Sequence, residues 1–171
     1  MRYAKHVLFV LIFAASAGVA RAQTQAAGPA SGLPVPRFVS LKADKVNMHV
    51  GPGKTYEVKW LYQRAGLPVE ITAEFEIWRR IRDVDGTEGW VYHSLLSGRR
   101  TGMVTAKSNN EIVPLYGKPD VESAAVAKLE RGVIGTVKRC AEGWCAINGR
   151  GFDGWIQQTR LWGVYQDEKI E

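Results

Sequence analysis

Residues 86–91 read GTEGWV, and residues 151–156 read GFDGWI. Both follow one pattern: glycine, any residue, an acid, glycine, tryptophan, then a β-branched residue. Recurrence of this hexapeptide 65 positions on restricts the fold, because self-similarity at a fixed period means one structural unit used twice. Other pairs keep the same order. Gly66 matches Gly132, and EIWRRI at 76–81 matches EGWCAI at 142–147. VNMHVGP at 46–52 matches VPLYGKP at 113–119 more loosely.

Within each unit, short runs rich in Val, Ile, Tyr and Trp alternate with turn residues such as VGPGKT, RAG and DVDGT. Such runs predict strands, and no long helical period interrupts them. SLLSG at 94–98 reads as one short helical turn. The fold class is therefore all-β: two tandem small, strongly bent β-barrels over residues 37–98 and 101–165, followed by a C-terminal tail at 166–171. In the hexapeptides, Gly86, Gly151, Gly89 and Gly154 are expected where φ is positive or where backbones approach closely. Trp90 and Trp155 are expected to supply much of each small core.

The N-terminus has its own pattern. Arg2 and Lys5 precede the apolar run HVLFVLIFAASAGVA, and Ala20-Arg21-Ala22 forms a small-x-small cleavage site. This reads as a signal peptide over 1–22, which places the protein in the periplasm or outside the cell. Cleavage removes three cations and no acid, so the net charge falls from +6 to +3. A balance this mild gives no case for nucleic acid. No later stretch is apolar enough to span a bilayer. Residues 23–36, QTQAAGPASGLPVP, read as a flexible leader with little apolar surface. In an exported chain, Cys140 and Cys145 suggest a disulfide, since residues facing each other in a hairpin lie at a distance that a disulfide accepts.

Asn47, Gly51, Pro52 and Gly53, then a tyrosine, a Gly-led strand, Trp78 and Gly89-Trp90-Val91, resemble the bacterial Src-homology-3 domain. The match runs from about Phe38 to Leu96, and a looser second copy runs from about Met103 to Val164. His49 stands where that family usually has arginine. The second copy has Pro114-Leu115-Tyr116 at the equivalent place, and of the Gly-Pro-Gly it keeps only Pro119. The resemblance implies binding without catalysis, typically to peptidoglycan or to peptides.

Catalytic chemistry has little to stand on. His93 and Ser94 are adjacent, but no third member completes a nucleophile–base set. Asp83 and Asp85 read as turn formers. No residues have metal-ligand spacing, and no cofactor is implied. The stronger candidates are aromatic. Trp78 and Trp144 occupy the position of the groove-lining tryptophan in Src-homology-3 barrels. Strand alternation puts Trp78, Arg80 and Arg82 on one face, and Arg79 with Ile77 and Ile81 on the other. Tyr56, Trp60 and Tyr92 extend the aromatic surface, and Arg64, Arg99 and Arg100 add charge. The reading is a non-enzymatic exported module that binds peptidoglycan peptide or an envelope protein through an aromatic–Arg groove. A structural adaptor within an envelope complex is the alternative, and a wall-modifying enzyme is a more distant one.

Overall fold

A computed structural model describes residues 26–171, so the expected signal peptide lies outside the described residues. A short hairpin comes first, β1 (Ala26–Ala27) and β2 (Pro34–Val35). The first barrel comprises β3 (Arg37–Leu41), β4 (Val46–His49), β5 (Val58–Tyr62), β6 (Pro68–Phe75), β7 (Trp78–Arg82), β8 (Glu88–Tyr92) and β9 (Leu96–Ser97). The second comprises β10 (Thr101–Val104), β11 (Val113–Tyr116), β12 (Ala125–Leu129), β13 (Ile134–Ala141), β14 (Trp144–Gly149), β15 (Phe152–Gln157) and β16 (Leu161–Trp162). The sheet orders are β5-β4-β8-β7-β6-β3-β9 and β12-β11-β15-β14-β13-β10-β16. Each is the other shifted by seven strands, so the sequence repeat is a structural repeat. A single turn of 3-10 helix precedes the last strand of each barrel, at His93–Leu95 and Gln158–Arg160.

The hexapeptide now has a residue-by-residue account. Gly86 and Gly151 both have φ of 82°, where a side chain would be strained. Gly89 and Gly154 are needed for space. A Cβ on Gly89 would lie 2.6 Å from the Met48 side chain and 2.8 Å from the His49 carbonyl, and one on Gly154 would lie 2.7 Å from the Tyr116 carbonyl. Gly89→Ala is therefore expected to push β4 off β8 and to destabilise the barrel by about 1–3 kcal/mol, read as a lower urea midpoint. The β-branched residues, Val91 and Ile156, are fully buried core members. Trp90 and Trp155 are not: alternation places both on the outer sheet face, where they are half-buried. The expectation that these indoles fill the cores is thus corrected. Aliphatic residues such as Leu41, Met48, Ile71 and Ile81 fill the first core, and Leu115, Ile147 and Ile156 the second.

The leader is also corrected. Its described part is an ordered hairpin held by one carboxylate, not a flexible tether. Glu74, on β6, has no exposed side-chain surface. It accepts hydrogen bonds from the Ala30 N–H (3.1 Å), the Ser31 N–H (2.9 Å) and the Ser31 hydroxyl (2.6 Å). It also pairs with Arg37 at 2.7 Å and with Arg79 at 3.2 Å. Composition gave no sign of this, because polar contacts and not apolar area fix the segment.

Arg79 sits inward on β7, directly across from Glu74, beside the tip pair Phe75–Trp78. The equivalent cross-strand pair in the second barrel is Cys140–Cys145, beside the tip pair Ala141–Trp144. One copy of the repeat thus closes its hairpin with a buried ion pair, and the other with the expected disulfide, whose Cα atoms are 4.1 Å apart. The chain termini complete the parallel. The leader hairpin covers the outer end of β6, and the tail adds Ile170 to the outer end of β13 through two backbone hydrogen bonds with Cys140, of 2.8 and 3.0 Å.

The barrels pack on each other. Only residues 98–100 separate β9 from β10. Phe38 meets Trp162 edge-on at 5.0 Å and Tyr165 at 4.7 Å. The Trp162 indole N–H donates to the Pro68 carbonyl (3.0 Å), and the Thr101 hydroxyl to the Gly66 carbonyl (2.8 Å). Buried Glu70 accepts from the Tyr165 hydroxyl across the interface, and Arg82 binds its other oxygen. Burial first, then the Glu70 charge and hydrogen bond, push the Tyr165 phenol upward, so it stays a donor.

Candidate functional site

In the first barrel a cleft of about 720 Å3 opens between the β4–β5 hairpin and the 3-10 turn. Trp78, the first residue of β7, forms its floor and is 6% exposed. His49 stands edge-on to Trp78 at 5.4 Å, and Tyr92 does so at 5.8 Å. The register brings these side chains together, because Trp78 pairs with Tyr92 and His49 pairs with Trp90, two residues back along β8 and on the same face. His49 is fixed by its other contact. Its Nδ1 lies 2.8 Å from the Tyr56 carbonyl, which can only accept, so Nδ1 carries a proton and donates. The 50–57 loop is folded tightly here, with the Tyr56 ring packed on Gly51 and Gly53, where any Cβ would crowd it.

The rim carries charge of one sign. Lys45 and Lys54 line the cleft with Asn47, Leu61, Ser94 and Leu95, and no acid does. Both lysines are exposed, and neither forms an ion pair with a described residue. An aromatic floor under two uncompensated ammonium groups is suited to a carboxylate-bearing ligand with some apolar surface.

The predicted site residues divide into those the cleft uses and those it does not. Trp78 and Tyr92 are in it. Arg80 and Arg82 share the strand face of Trp78, as alternation requires, but their charges are taken. Arg80 pairs with Glu88 and Arg82 with Glu70, so neither lines the cleft. Tyr56 is half exposed and serves through its backbone carbonyl and its packing on the glycines. Trp60 is 57% exposed on edge strand β5 and lies outside the cleft. Trp144 belongs to the second barrel, where it repeats the arrangement of Trp78: Tyr116 stands edge-on to it at 5.5 Å. Arg64, Arg99 and Arg100 are not part of a groove. Arg64 and Arg99 bridge to Gly132 and Thr136 of the second barrel, and Arg100 pairs with Glu168 at 2.8 Å.

His93 is exposed on the 3-10 turn, and Ser94 next to it lines the cleft. Asp83 is a turn former, accepting from the Asp85 and Thr87 N–H groups, and it also receives the buried Tyr62 hydroxyl at 2.9 Å. Burial and this acceptor push the Tyr62 phenol upward, which keeps it protonated. The residues missed from sequence, Lys45, Lys54 and His49 in its positioning role, come from a loop, a turn and a strand end. Only tertiary structure brings them together.

Small tandem barrels with an aromatic cleft of this kind define the SH3-like class. The chain belongs to the bacterial SH3 domain family, whose sequence model matches residues 42–98 and again 109–163. Among solved structures, NlpC2 and NlpC1 from Trichomonas vaginalis are similar at 14% identity, over 75% and 80% of this chain, with TM-scores of 0.33 and 0.34. The match covers 48% of each of those chains, so this chain spans about half their length. No curated protein matches the sequence. Among the described residues, no helix is long and apolar enough to cross a membrane.

Proposed function

We propose that the protein is an exported, non-catalytic binding module whose first-barrel cleft takes a carboxylate-bearing peptide of the cell wall. The observation that carries this reading is the Trp78–His49–Tyr92 floor beneath Lys45 and Lys54, with no acid in the lining. Domains of this family often bind cell-wall peptides or proteins, which supports the wall as the source of the ligand. The apolar floor supplies contact area. The lysines supply attraction and orientation, and because they are exposed their contribution fades as salt rises.

Calorimetry with a wall stem tripeptide carrying free carboxylates, against its fully amidated form, tests the reading. The free acid is expected to bind at least about tenfold more tightly, a difference of about 1.4 kcal/mol. The double change Lys45→Glu with Lys54→Glu is expected to erase that preference while leaving thermal unfolding unchanged. Equal affinity for both peptides would show that the cleft does not recognise a carboxylate.

A further inference from the structure

We propose that the second barrel carries a separate site for an uncharged sugar chain, built on Trp144 and Trp155. A cleft of about 720 Å3 lies against both indoles and is walled by Arg139, Glu142, Pro119 and the tail residues Lys169 and Glu171. That volume falls in the range of ligand clefts, roughly 300–1,000 Å3. Neither tryptophan serves the core, which is aliphatic around the disulfide.

The register explains why the rings stand where they do. Tyr116, Trp155, Ala146 and Arg139 form one row on the outer sheet face, across β11, β15, β14 and β13. Ala146 is too short to fill its place in the row. Arg139 therefore reaches across it and lays its guanidinium 4.7 Å from the centre of the Trp155 ring. Trp144 stands two residues along β14 from Ala146, on the same face, with Tyr116 against its edge at an interplanar angle of 85°. Trp144, and the part of the Trp155 indole that Arg139 leaves uncovered, give the cleft apolar surface for the C–H face of a pyranose. Arg139, Glu142 and Lys169 offer donors and acceptors to its hydroxyls.

Charge decides the ligand class. Arg139 and Lys169 are balanced by Glu142 and Glu171, whereas the first-barrel cleft has two lysines and no acid. The equivalent tryptophans Trp78 and Trp144 thus stand in clefts of different electrostatic character, one suited to an anion and the other to a neutral molecule. The walls of the second cleft are fixed before any ligand arrives. The disulfide closes the β13–β14 hairpin, Ile170 is bonded to Cys140 through both backbone groups, and Glu168 anchors the tail to Arg100. A preformed cleft spares a weak ligand the cost of ordering it.

The test is chitotriose, a neutral β-linked amino-sugar trimer, titrated into the 15N-labelled protein. The six tryptophans give six indole N–H signals. Those of Trp144 and Trp155 are expected to shift on binding, independently of salt, while that of Trp60 on the first barrel stays fixed. Trp155→Ala is expected to weaken calorimetric binding roughly tenfold or more, with binding of the carboxylate peptide unchanged. Arg139→Ala, at an exposed side chain, is expected to weaken it in the same sense and gives the reading should Trp155→Ala not fold. No shift at either indole at millimolar trisaccharide would overturn the proposal. So would shifts confined to Trp78, or full affinity in the variants.

Discussion

Glu74→Ala is expected to cost about 3–5 kcal/mol of stability, as removal of one partner from a buried ion pair does. The side chain has no exposed surface, and the Arg37 and Arg79 side chains that meet it are only 17% and 9% exposed. Without the carboxylate, Arg79 remains inside the end of the barrel with its charge uncompensated. The Ala30 and Ser31 N–H groups lose their acceptor as well, so the leader hairpin should detach. Urea unfolding gives the magnitude. Limited proteolysis cutting within residues 28–33 in the variant alone would show the detachment.

The same site sets an acid limit. Burial alone would raise the Glu74 carboxyl, but the Ser31 hydroxyl, Arg37 and the two backbone N–H groups outweigh it and hold the carboxyl at about 2. A folded pKa below the unfolded value of 4.5 gives stability that is complete above pH 4.5 and is lost as pH falls through about 2. Wild type should lose stability across that window. Glu74→Ala should show a shallower loss there.

Phe38→Ala is expected to cost a further-reaching 3–5 kcal/mol or so, the usual range for an interior aromatic. Phe38 is 7% exposed and touches two rings of the other barrel. Its loss should therefore weaken the junction as well as the first barrel. With the interface intact, the two barrels should unfold in one calorimetric transition. In the variant, two transitions should separate, the second barrel melting later because its hairpin is closed by a disulfide. A single transition shifted downward in the variant would mean that Phe38 serves only its own barrel.

The fold was legible because two independent patterns agreed. The repeated hexapeptide gave the unit, and period-2 alternation with turn residues gave its strands. The paired glycines were read correctly for a physical reason: positive φ and close backbone approach leave no other residue. The tryptophans of the same motif were misread because size was taken as a guide to burial. Alternation fixes the face, and Val91 and Ile156 already hold the inward positions. The candidate site was half legible. Trp78 and Tyr92 are cross-strand neighbours, and their place follows from the repeat. Arg80 and Arg82 looked free because their acids, Glu88 and Glu70, lie on other strands, a pairing that local sequence does not show. Lys45 and Lys54 were invisible for the converse reason. They are ordinary surface lysines until the barrel sets Lys45, just before β4, and Lys54, in the 50–57 loop folded onto His49, along the same cleft as Trp78.

The first-barrel cleft is the proposed wall-binding site. Co-sedimentation of the purified protein with isolated peptidoglycan tests it most directly, with Trp78→Ala and the Lys45→Glu/Lys54→Glu double variant run beside wild type at low and high salt. Wild type is expected to pellet at low salt and less at high salt, and both variants to pellet less than wild type at low salt while remaining folded by circular dichroism, any remainder being salt-independent and removed by adding Trp155→Ala. Pelleting of the folded variants to the wild-type extent, or no pelleting of wild type at any salt, would contradict it.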